Sequence, residues 1–173
     1  AELKTILHNL VTQVEQLHPL THCSILLLDE DGKTLRHGAA PTLPDAYNQA
    51  IDGVTIGIGV GSCGTAAYTG ETVIVSDIST HPYWQPYQKL AQLAGVKACW
   101  SQPVKNAQGK VLGTFAIYHD EIAQPSAELL EKIKAYSNLA ELAIGRWLSA
   151  AQIRRLAFYD SLTGLANRRL LEE

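Results

Sequence analysis

The chain has 173 residues, of which 46% are hydrophobic and 18% charged, and its formal net charge is −3. This composition predicts a folded domain with an apolar core and excludes an intrinsically disordered chain. The small negative charge offers no basic field for nucleic acid, and no apolar run approaches the roughly 20 residues of a membrane-spanning helix.

The three cysteines are an odd number without the spacing of a disulfide framework. Such usage is typical of a reducing compartment, and the sequence opens without a signal-peptide pattern. We therefore expect a cytoplasmic protein. The length suits one domain with an extension, which we place at residues 1–150 and 151–173.

The first predicted element is an amphipathic helix over residues 1–18, ended by Pro19. Its apolar residues alternate in steps of four and three, which is the pattern of a coiled-coil seam. The seam consists of Leu3, Leu7, Leu10, Val14 and Leu17.

Several short strands with intervening helices follow. Asp31-Gly32 is a hairpin turn signal between two apolar runs. Consecutive strands joined by short turns predict an antiparallel sheet. We expect strands at 21–29, 33–40, 72–78, 96–104 (broken at Pro103) and 110–120, a short strand near 54–56, and helices at 43–51 and 88–95.

A second long helix is predicted from Pro125 to Tyr159. Proline at the first position and an acidic residue in the first turn are typical of a helix start. A helix of this length must project from the domain or pair with a copy of itself. Its heptad-spaced residues are Ile133, Ala140 and Trp147, alternating with Tyr136, Ala143 and Ala150.

A glycine-rich loop lies in the middle of the chain. Gly59, Gly61 and Gly64 spell G-x-G-x-x-G, and Asp77 ends the apolar run that follows. A dinucleotide fingerprint also needs a long crossover helix, but only seven residues separate Gly64 from Thr72. We expect a loop instead, with Ser62 capping a short helix over 63–69 and Gly70 ending it.

The stretches GSCGTAAYTGETVIVSDI, VKACWSQPV and GKVLGTFAIY, in this order of elements, resemble the GAF domain, a small-molecule sensor and regulatory module. The resemblance covers roughly residues 1–150. It implies an α+β fold, with a central antiparallel sheet, the N- and C-terminal helices on one face and a loop- and helix-roofed ligand pocket on the other. It places that pocket over Cys63, Asp77, Trp84, Cys99, Trp100 and Ser101.

The tail FYDSLTGLANRR is similar to the opening of the GGDEF domain, the diguanylate cyclase module. That family's first motif, D-x-L-T-G-L-x-N-R, is structural, so we carry no catalytic residue onto this chain. The resemblance implies a downstream output domain that makes cyclic-di-GMP, or a GGDEF-phosphodiesterase hybrid. The matching residues are Asp160, Leu162, Thr163, Gly164, Leu165, Asn167 and Arg168.

The leading hypothesis is a sensor that binds an unidentified small ligand and controls the output through a helix. We expect a parallel homodimer in which the two terminal helices of each chain form a four-helix bundle. Two thiols support a redox sensor as a second hypothesis, because Cys63 at a helix start and Cys99 suit that chemistry. Free methionine sulfoxide reductases have a GAF fold and a similar G-x-C-G segment, although WSQPV and AIYHD depart from their pattern.

The sequence is also compatible with a purely structural dimerisation module or with a bound cofactor. Haem would need an axial ligand, for which His37, His81 and His119 are candidates. A zinc site at His18, His22 and Cys23 is disfavoured, because the three straddle Pro19 and the start of a strand. We assign no metal and leave the cofactor open.

Overall fold

The computed structural model describes residues 2–162. In that part of the chain, six strands form one antiparallel sheet in the order β3-β2-β1-β6-β5-β4. The strands are β1 (Thr21–Leu28), β2 (Thr34–Ala39), β3 (Val54–Thr55), β4 (Val73–Val75), β5 (Ala98–Lys105) and β6 (Val111–His119). The helices are α1 (Glu2–Leu17), α2 (Asp45–Ile51), α3 (Gly61–Thr69), a 3-10 helix (Pro82–Tyr87), α4 (Gln88–Ala94) and α5 (Ala127–Leu162).

The sheet separates two apolar cores, and the alternation of side chains along each strand decides which core a residue joins. On β6, Phe115 and Ile117 lie on the face covered by α1 and α5. Their neighbour Ala116 belongs to the opposite core, beneath α2, α3 and α4. We call these the helix face and the cavity face. The predicted α+β architecture is confirmed, with the terminal helices together on one side.

Helix α1 packs on the sheet through a stripe that differs slightly from the predicted seam. Leu3, Leu7, Val11 and Val14 are buried, whereas Leu17 is 68% exposed. A step of four from residue 7 to 11 follows the 3.6-residue period of a helix lying on a sheet, rather than the 3.5-residue period of a coiled coil. The inner stripe of α1 therefore serves its own domain.

Helix α5 begins with Ser126 as its cap, since the Leu129 amide donates to Ser126 Oγ at 3.1 Å. Ile133, Ala140 and Ile144 bury one side against the sheet, while Trp147 is 38% exposed. Further apolar residues on its outer side are exposed, namely Leu139, Leu142, Ile153 and Leu156. None of the helices in the described range combines the length and apolar character needed to span a membrane.

Strand β5 does not break at Pro103, as the sequence predicted, but continues to Lys105. Pro103 pairs with Thr114 of β6 on one side, whereas on the other side of β5 strand β4 pairs only with residues 99–101. Because no strand lies beside Pro103 on that second side, its missing amide hydrogen interrupts no hydrogen-bond ladder there.

Candidate functional site

Helix α3 is buried from Gly61 to Ala67 and lies on β5 and β6. The small side chains of Cys63, Ala66 and Ala67 let the helix approach the sheet closely. At Gly64 a Cβ atom would lie 2.5 Å from Val60 Cγ1, so this turn of the loop tolerates only glycine. Gly70 ends the helix with φ of 72°, as the sequence predicted.

A cavity of about 40 Å³ lies between α3, the 3-10 helix, α2 and the sheet. One water needs roughly 10–15 Å³ on the same scale, so this conformation admits a molecule of a few atoms. Pockets for metabolites commonly measure about 300–1,000 Å³, so a larger ligand must displace part of the wall. The wall consists of Leu26, Leu35, Tyr47, Ile51, Val54, Val60, Gly61, Ser62, Cys63, Gly64, Trp84, Tyr87, Leu90 and Tyr118.

Ser62 connects the 3-10 helix to β5 through hydrogen bonds. Trp84 Nε1 donates to Ser62 Oγ at 3.0 Å, and that hydroxyl donates in turn to the Cys99 carbonyl at 3.0 Å. The hydroxyl is therefore used by tertiary contacts, and no side chain caps α3. The predicted cap at Ser62 is wrong, because a buried indole N–H needs an acceptor and Ser62 supplies it.

Two buried tyrosines connect the far wall to the thiol on α3. Tyr47 donates its hydroxyl to Tyr118 at 3.1 Å, and Tyr118 lies 3.8 Å from Cys63 Sγ. The tyrosine rings meet edge to face with centroids 5.9 Å apart. Burial raises the pKa of both phenols, so both stay neutral hydrogen-bonding groups at physiological pH.

The pKa values of the two thiols on this face, Cys63 and Cys99, are shifted in opposite directions. A hydrogen bond from the Cys99 thiol lowers the pKa of Cys63 and outweighs the effect of burial. The nearby hydroxyls of Ser101, Thr114 and Tyr118 can donate to the thiolate once it forms, and so lower the pKa of Cys63 further. Burial raises the pKa of Cys99. The proton therefore stays on Cys99, and the thiolate forms at Cys63, near the start of α3.

Beneath α3 the sheet carries three fully buried hydroxyls, on Ser24, Ser101 and Thr114. Ser24 and Ser101 pair with Ala116 from its two sides, and so share the cavity face with it. None of the three has a nitrogen or oxygen partner among residues 2–162. An unpaired buried polar group costs about 1–3 kcal/mol, so three of them on one face mark an unusual polar floor.

Of the six residues predicted to form the pocket, Cys63 and Trp84 lie in the cavity wall. Cys99 and Ser101 lie directly behind it on the same face of β5. Trp100, between them, belongs to the helix-face core, where its Nε1 donates to the Ala123 carbonyl at 3.0 Å. Side chains alternate between the two faces along β5, so Cys99, Trp100 and Ser101 cannot all face the cavity. Trp100 is the one that points away.

Asp77 is also outside this cavity. Its Oδ1 accepts hydrogen bonds from the Ser79 amide at 3.0 Å and the Ser79 hydroxyl at 2.6 Å. The Ser79 hydroxyl contributes most to the lowered pKa of Asp77. The carboxylate stabilises a turn after β4 and lies beside a separate surface groove with Gln88 and Lys97.

The sequence reasoning missed Tyr47 and Tyr118. Alternation along β6 gave a usable signal for Tyr118, because it places Tyr118 on the other face of the sheet from Phe115 and Ile117. Tyr47 carried no such signal, since its helix is short and its direction depends on how α2 packs.

The histidines considered for haem lie elsewhere. None of His37, His81 and His119 is part of the cavity wall. His81 Nδ1 accepts from the Tyr83 amide at 3.1 Å, and His119 stacks on Trp100 with centroids 4.1 Å apart. Within the described range no three His, Cys, Asp or Glu residues come together as a metal site.

An antiparallel sheet with terminal helices on one face and a small, helix-roofed cavity on the other defines an α+β domain of the kind that holds a small ligand. The profile of the GAF domain matches residues 1–145. The chain belongs to the GAF family, as its sequence resemblance predicted.

A curated relative shares much of the sequence. The chain is 40% identical over 144 residues to a methyl sulfide methyltransferase-associated sensor of Methanosarcina acetivorans, covering 83% of this chain and 14% of that protein. The chain thus spans about a seventh of that relative's length.

Two solved structures share the fold. A domain of a two-component sensor histidine kinase protein from Sinorhizobium meliloti is 20% identical, with a TM-score of 0.70, covering 88% of this chain and 96% of that one. The type II free methionine-R-sulfoxide reductase of Thermoplasma acidophilum is 17% identical, with a TM-score of 0.66, covering 84% and 94%. At such identities the likeness establishes the fold alone.

Proposed function

We propose that this GAF domain is the sensory part of a larger signalling protein, and that a small ligand in the cavity changes the position of α5. One observation carries the proposal. Neighbouring residues of β5 contact the two sides of the molecule, with Cys99 facing the cavity and Trp100 facing the helices. Trp100 then donates to Ala123, in the segment that leads into α5.

The contacts form a continuous physical route. The cavity wall reaches β5 through Trp84, Ser62 and the Cys99 carbonyl. Beyond the sheet, Phe115 of β6 packs on Tyr136 of α5 with centroids 5.9 Å apart. A ligand acts along this route only if it binds one arrangement of α5 more tightly than another.

The wall also indicates the chemistry of the ligand. Within residues 2–162 no charged side chain lines the cavity, and burying an unpaired charge there would cost several kcal/mol. We propose an uncharged, largely apolar ligand that hydrogen-bonds to Ser62 or Tyr118. A ligand of more than a few atoms would enter by displacing Trp84. No cofactor is assigned.

The test is thermal unfolding with a panel of uncharged and charged metabolites and nucleotides. At one hundred times its dissociation constant a ligand stabilises the folded state by about 2.7 kcal/mol, which raises Tm by roughly 5–10 °C for a chain of this size. Trp84→Ala should change the response, and Leu93→Ala on the exposed side of α4 should not. A panel without any shift contradicts ligand sensing and leaves a structural module.

The second part of the proposal concerns output. Helix α5 runs without interruption to Leu162, and so enters the segment that resembles the start of a GGDEF domain. Residues Thr163 to Arg168 of that motif lie outside the described range. We propose that the protein controls a diguanylate cyclase or a GGDEF-phosphodiesterase hybrid. The full-length protein should synthesise cyclic-di-GMP from GTP or hydrolyse it, and a protein that does neither overturns this part.

A parallel homodimer would connect two such outputs. Since the inner stripe of α1 is used by its own sheet, we propose that the exposed outer side of α5 forms most of the contact. Leu139 and Ile153 are two heptads apart there, and so are Leu142 and Leu156, all four exposed in one chain. This arrangement brings both C-terminal ends of α5 to the same end of the dimer.

Methionine sulfoxide reduction is the second candidate, favoured by the hydrogen-bonded thiols of Cys63 and Cys99. The cavity argues for sensing instead, because a free amino acid is a zwitterion and the wall offers it no charged partner. Consumption of free methionine sulfoxide by the protein with a dithiol reductant would reverse this preference. The three cysteines are free, which fits the cytoplasmic location that we propose.

A further inference from the structure

We propose that Cys63 is a hydroperoxide-reactive thiol, and that the buried hydroxyls of Ser101 and Thr114 hold the sulfenic acid that forms on it. The inference is independent of a metabolite ligand. It rests on the thiol, the size of the cavity and the unpartnered hydroxyls, so it stands or falls separately from the proposed sensory function.

The first argument is access. Cys63 is 8% exposed and forms part of the cavity wall. A space of about 40 Å³ has room for a molecule the size of two or three waters, such as hydrogen peroxide. The cavity thus selects a small oxidant by size.

The second argument is that the surroundings distinguish Cys63 from the other thiols. Hydrogen bonds from Cys99 and the nearby hydroxyls lower the pKa of Cys63, and the thiolate is the nucleophilic form. Burial raises the pKa of Cys99 and of Cys23. Cys23 also lies in the helix-face core, away from the cavity.

The third argument is the polar floor. The Ser101 and Thr114 hydroxyls are fully buried, lie on the two strands that α3 covers, and have no hydrogen-bond partner among the described residues. Buried hydroxyls normally find partners. A sulfenic acid would add an oxygen that both accepts and donates hydrogen bonds, so it would satisfy groups that the reduced thiol leaves unpaired.

The step balances as a nucleophilic displacement. The Cys63 thiolate attacks one peroxide oxygen, the S–O bond forms, and the O–O bond breaks with its electron pair leaving on the other oxygen. The sulfur is oxidised by two electrons, and hydroxide departs and takes a proton from solvent to become water. Two equivalents of a thiol reductant would return the sulfenic acid to the thiol, releasing its oxygen as water and forming a disulfide between the two reductant sulfurs.

The experiment treats the folded protein with one equivalent of hydrogen peroxide and then unfolds it in denaturant that contains an excess of a cyclic 1,3-dione, which traps sulfenic acid. Peptide mass spectrometry then locates the adduct at each pH. We expect it on Cys63, in the wild type and in Cys23→Ser alike, and its absence in Cys63→Ser. The rate should rise with pH and reach half its maximum below the ordinary thiol pKa of about 8.5.

Variants of the floor test its role. Ser101→Ala and Thr114→Val should each slow oxidation roughly ten-fold, the effect of losing one hydrogen bond to a charged group, and should raise the midpoint pH. Thr114→Ser keeps the hydroxyl and should retain the wild-type rate and midpoint, which separates this role from packing. All variants are compared after circular dichroism confirms the fold.

Three outcomes would overturn the proposal. The first is an adduct on Cys23 or Cys99 rather than Cys63. The second is a disulfide between Cys63 and Cys99 as the stable product, since the sulfenic acid would then not be held. The third is an unchanged rate and pH midpoint in both Ser101→Ala and Thr114→Val.

Discussion

The two faces of the sheet are built from the same strands but differ in chemistry. The helix face buries large apolar side chains, among them Phe115, Ile117 and Trp100, under α1 and α5. The cavity face carries a thiol, small residues and three unpartnered hydroxyls beneath α3. Unpaired polar atoms also occur on the helix side, at His119 Nε2 beside Trp100 and at Thr12 Oγ1 of α1. The cavity face differs in combining its unpaired hydroxyls with an incompletely filled space.

This difference indicates that the functional site lies on the cavity face. Well-packed cores leave few cavities and few unpaired polar groups. When both occur together on one side of a single sheet, stability does not explain them.

The largest effect is expected on the helix face. Phe115 is fully buried there, so Phe115→Ala should lower the free energy of unfolding by about 3–5 kcal/mol, measured by urea denaturation. Leu93→Ala on the exposed side of α4 is the control. A loss below 1 kcal/mol would mean that this face does not hold the domain together.

The outer side of α5 offers a contrast with its inner side. Leu142 is 52% exposed, and burying such a side chain contributes about 1.5–3 kcal/mol. Leu142→Glu should therefore weaken the homodimer roughly one hundred-fold without lowering the stability of the monomer. Sedimentation of the wild type, Leu142→Glu, Trp147→Glu and the control Leu93→Glu measures this. A wild type that is monomeric at about 50 μM, a range typical of weak dimers, contradicts the dimer.

Acid should weaken the fold through three histidines. Burial lowers the pKa of His18, His37 and His119, so the unfolded chain binds protons on them more tightly. Their contribution is present above the ordinary histidine pKa of about 6.5 and is lost as pH falls through the lowered values.

Urea midpoints between about pH 7.5 and 5.5, on either side of that ordinary pKa, measure the effect. The fall in urea midpoint with pH should be smaller in His119→Gln than in the control His8→Gln, whose histidine is exposed. Equal falls in His119→Gln and His8→Gln would exclude His119 as a source of the pH dependence.

The smallest effect on stability is expected for the polar floor. Ser24→Ala and Ser101→Ala remove hydroxyls without partners, and should each raise the free energy of unfolding by about 1 kcal/mol, the lower end of the cost of an unpaired buried polar group. Differential scanning calorimetry measures the difference. A destabilisation of more than 1 kcal/mol would show that these hydroxyls are structural.

The sequence predicted the order of elements and the fold, because periodicity, turn signals and motif resemblance agree along most of the chain. Two of the predicted pocket residues, Cys63 and Trp84, line the cavity. Trp100 lies in the helix-face core instead, and the alternation within VKACWSQPV was a signal for that position. The resemblance indicated the whole segment VKACWSQPV, whereas adjacent residues of a strand face opposite sides of the sheet.

Several features depend on packing that no local pattern records. Ser62 had the position of a helix cap, yet the indole of Trp84, distant in sequence, determines its partners. The inner stripe of α1 includes Val11 while Leu10 is only partly buried, because the stripe packs against both the sheet and α5. The contact of Tyr47 with Tyr118 depends on how a short helix settles on the sheet.

The central claim is that the cavity face communicates with α5 through Trp100. Ile51→Phe enlarges a residue of the cavity wall and imitates an occupied cavity, and hydrogen exchange then compares α5 amides with and without it. We predict a change in exchange over residues 129–147 that disappears in the Trp100→Phe background, where the donor to Ala123 is absent. A change confined to α2, α3 and the 3-10 helix would contradict the account.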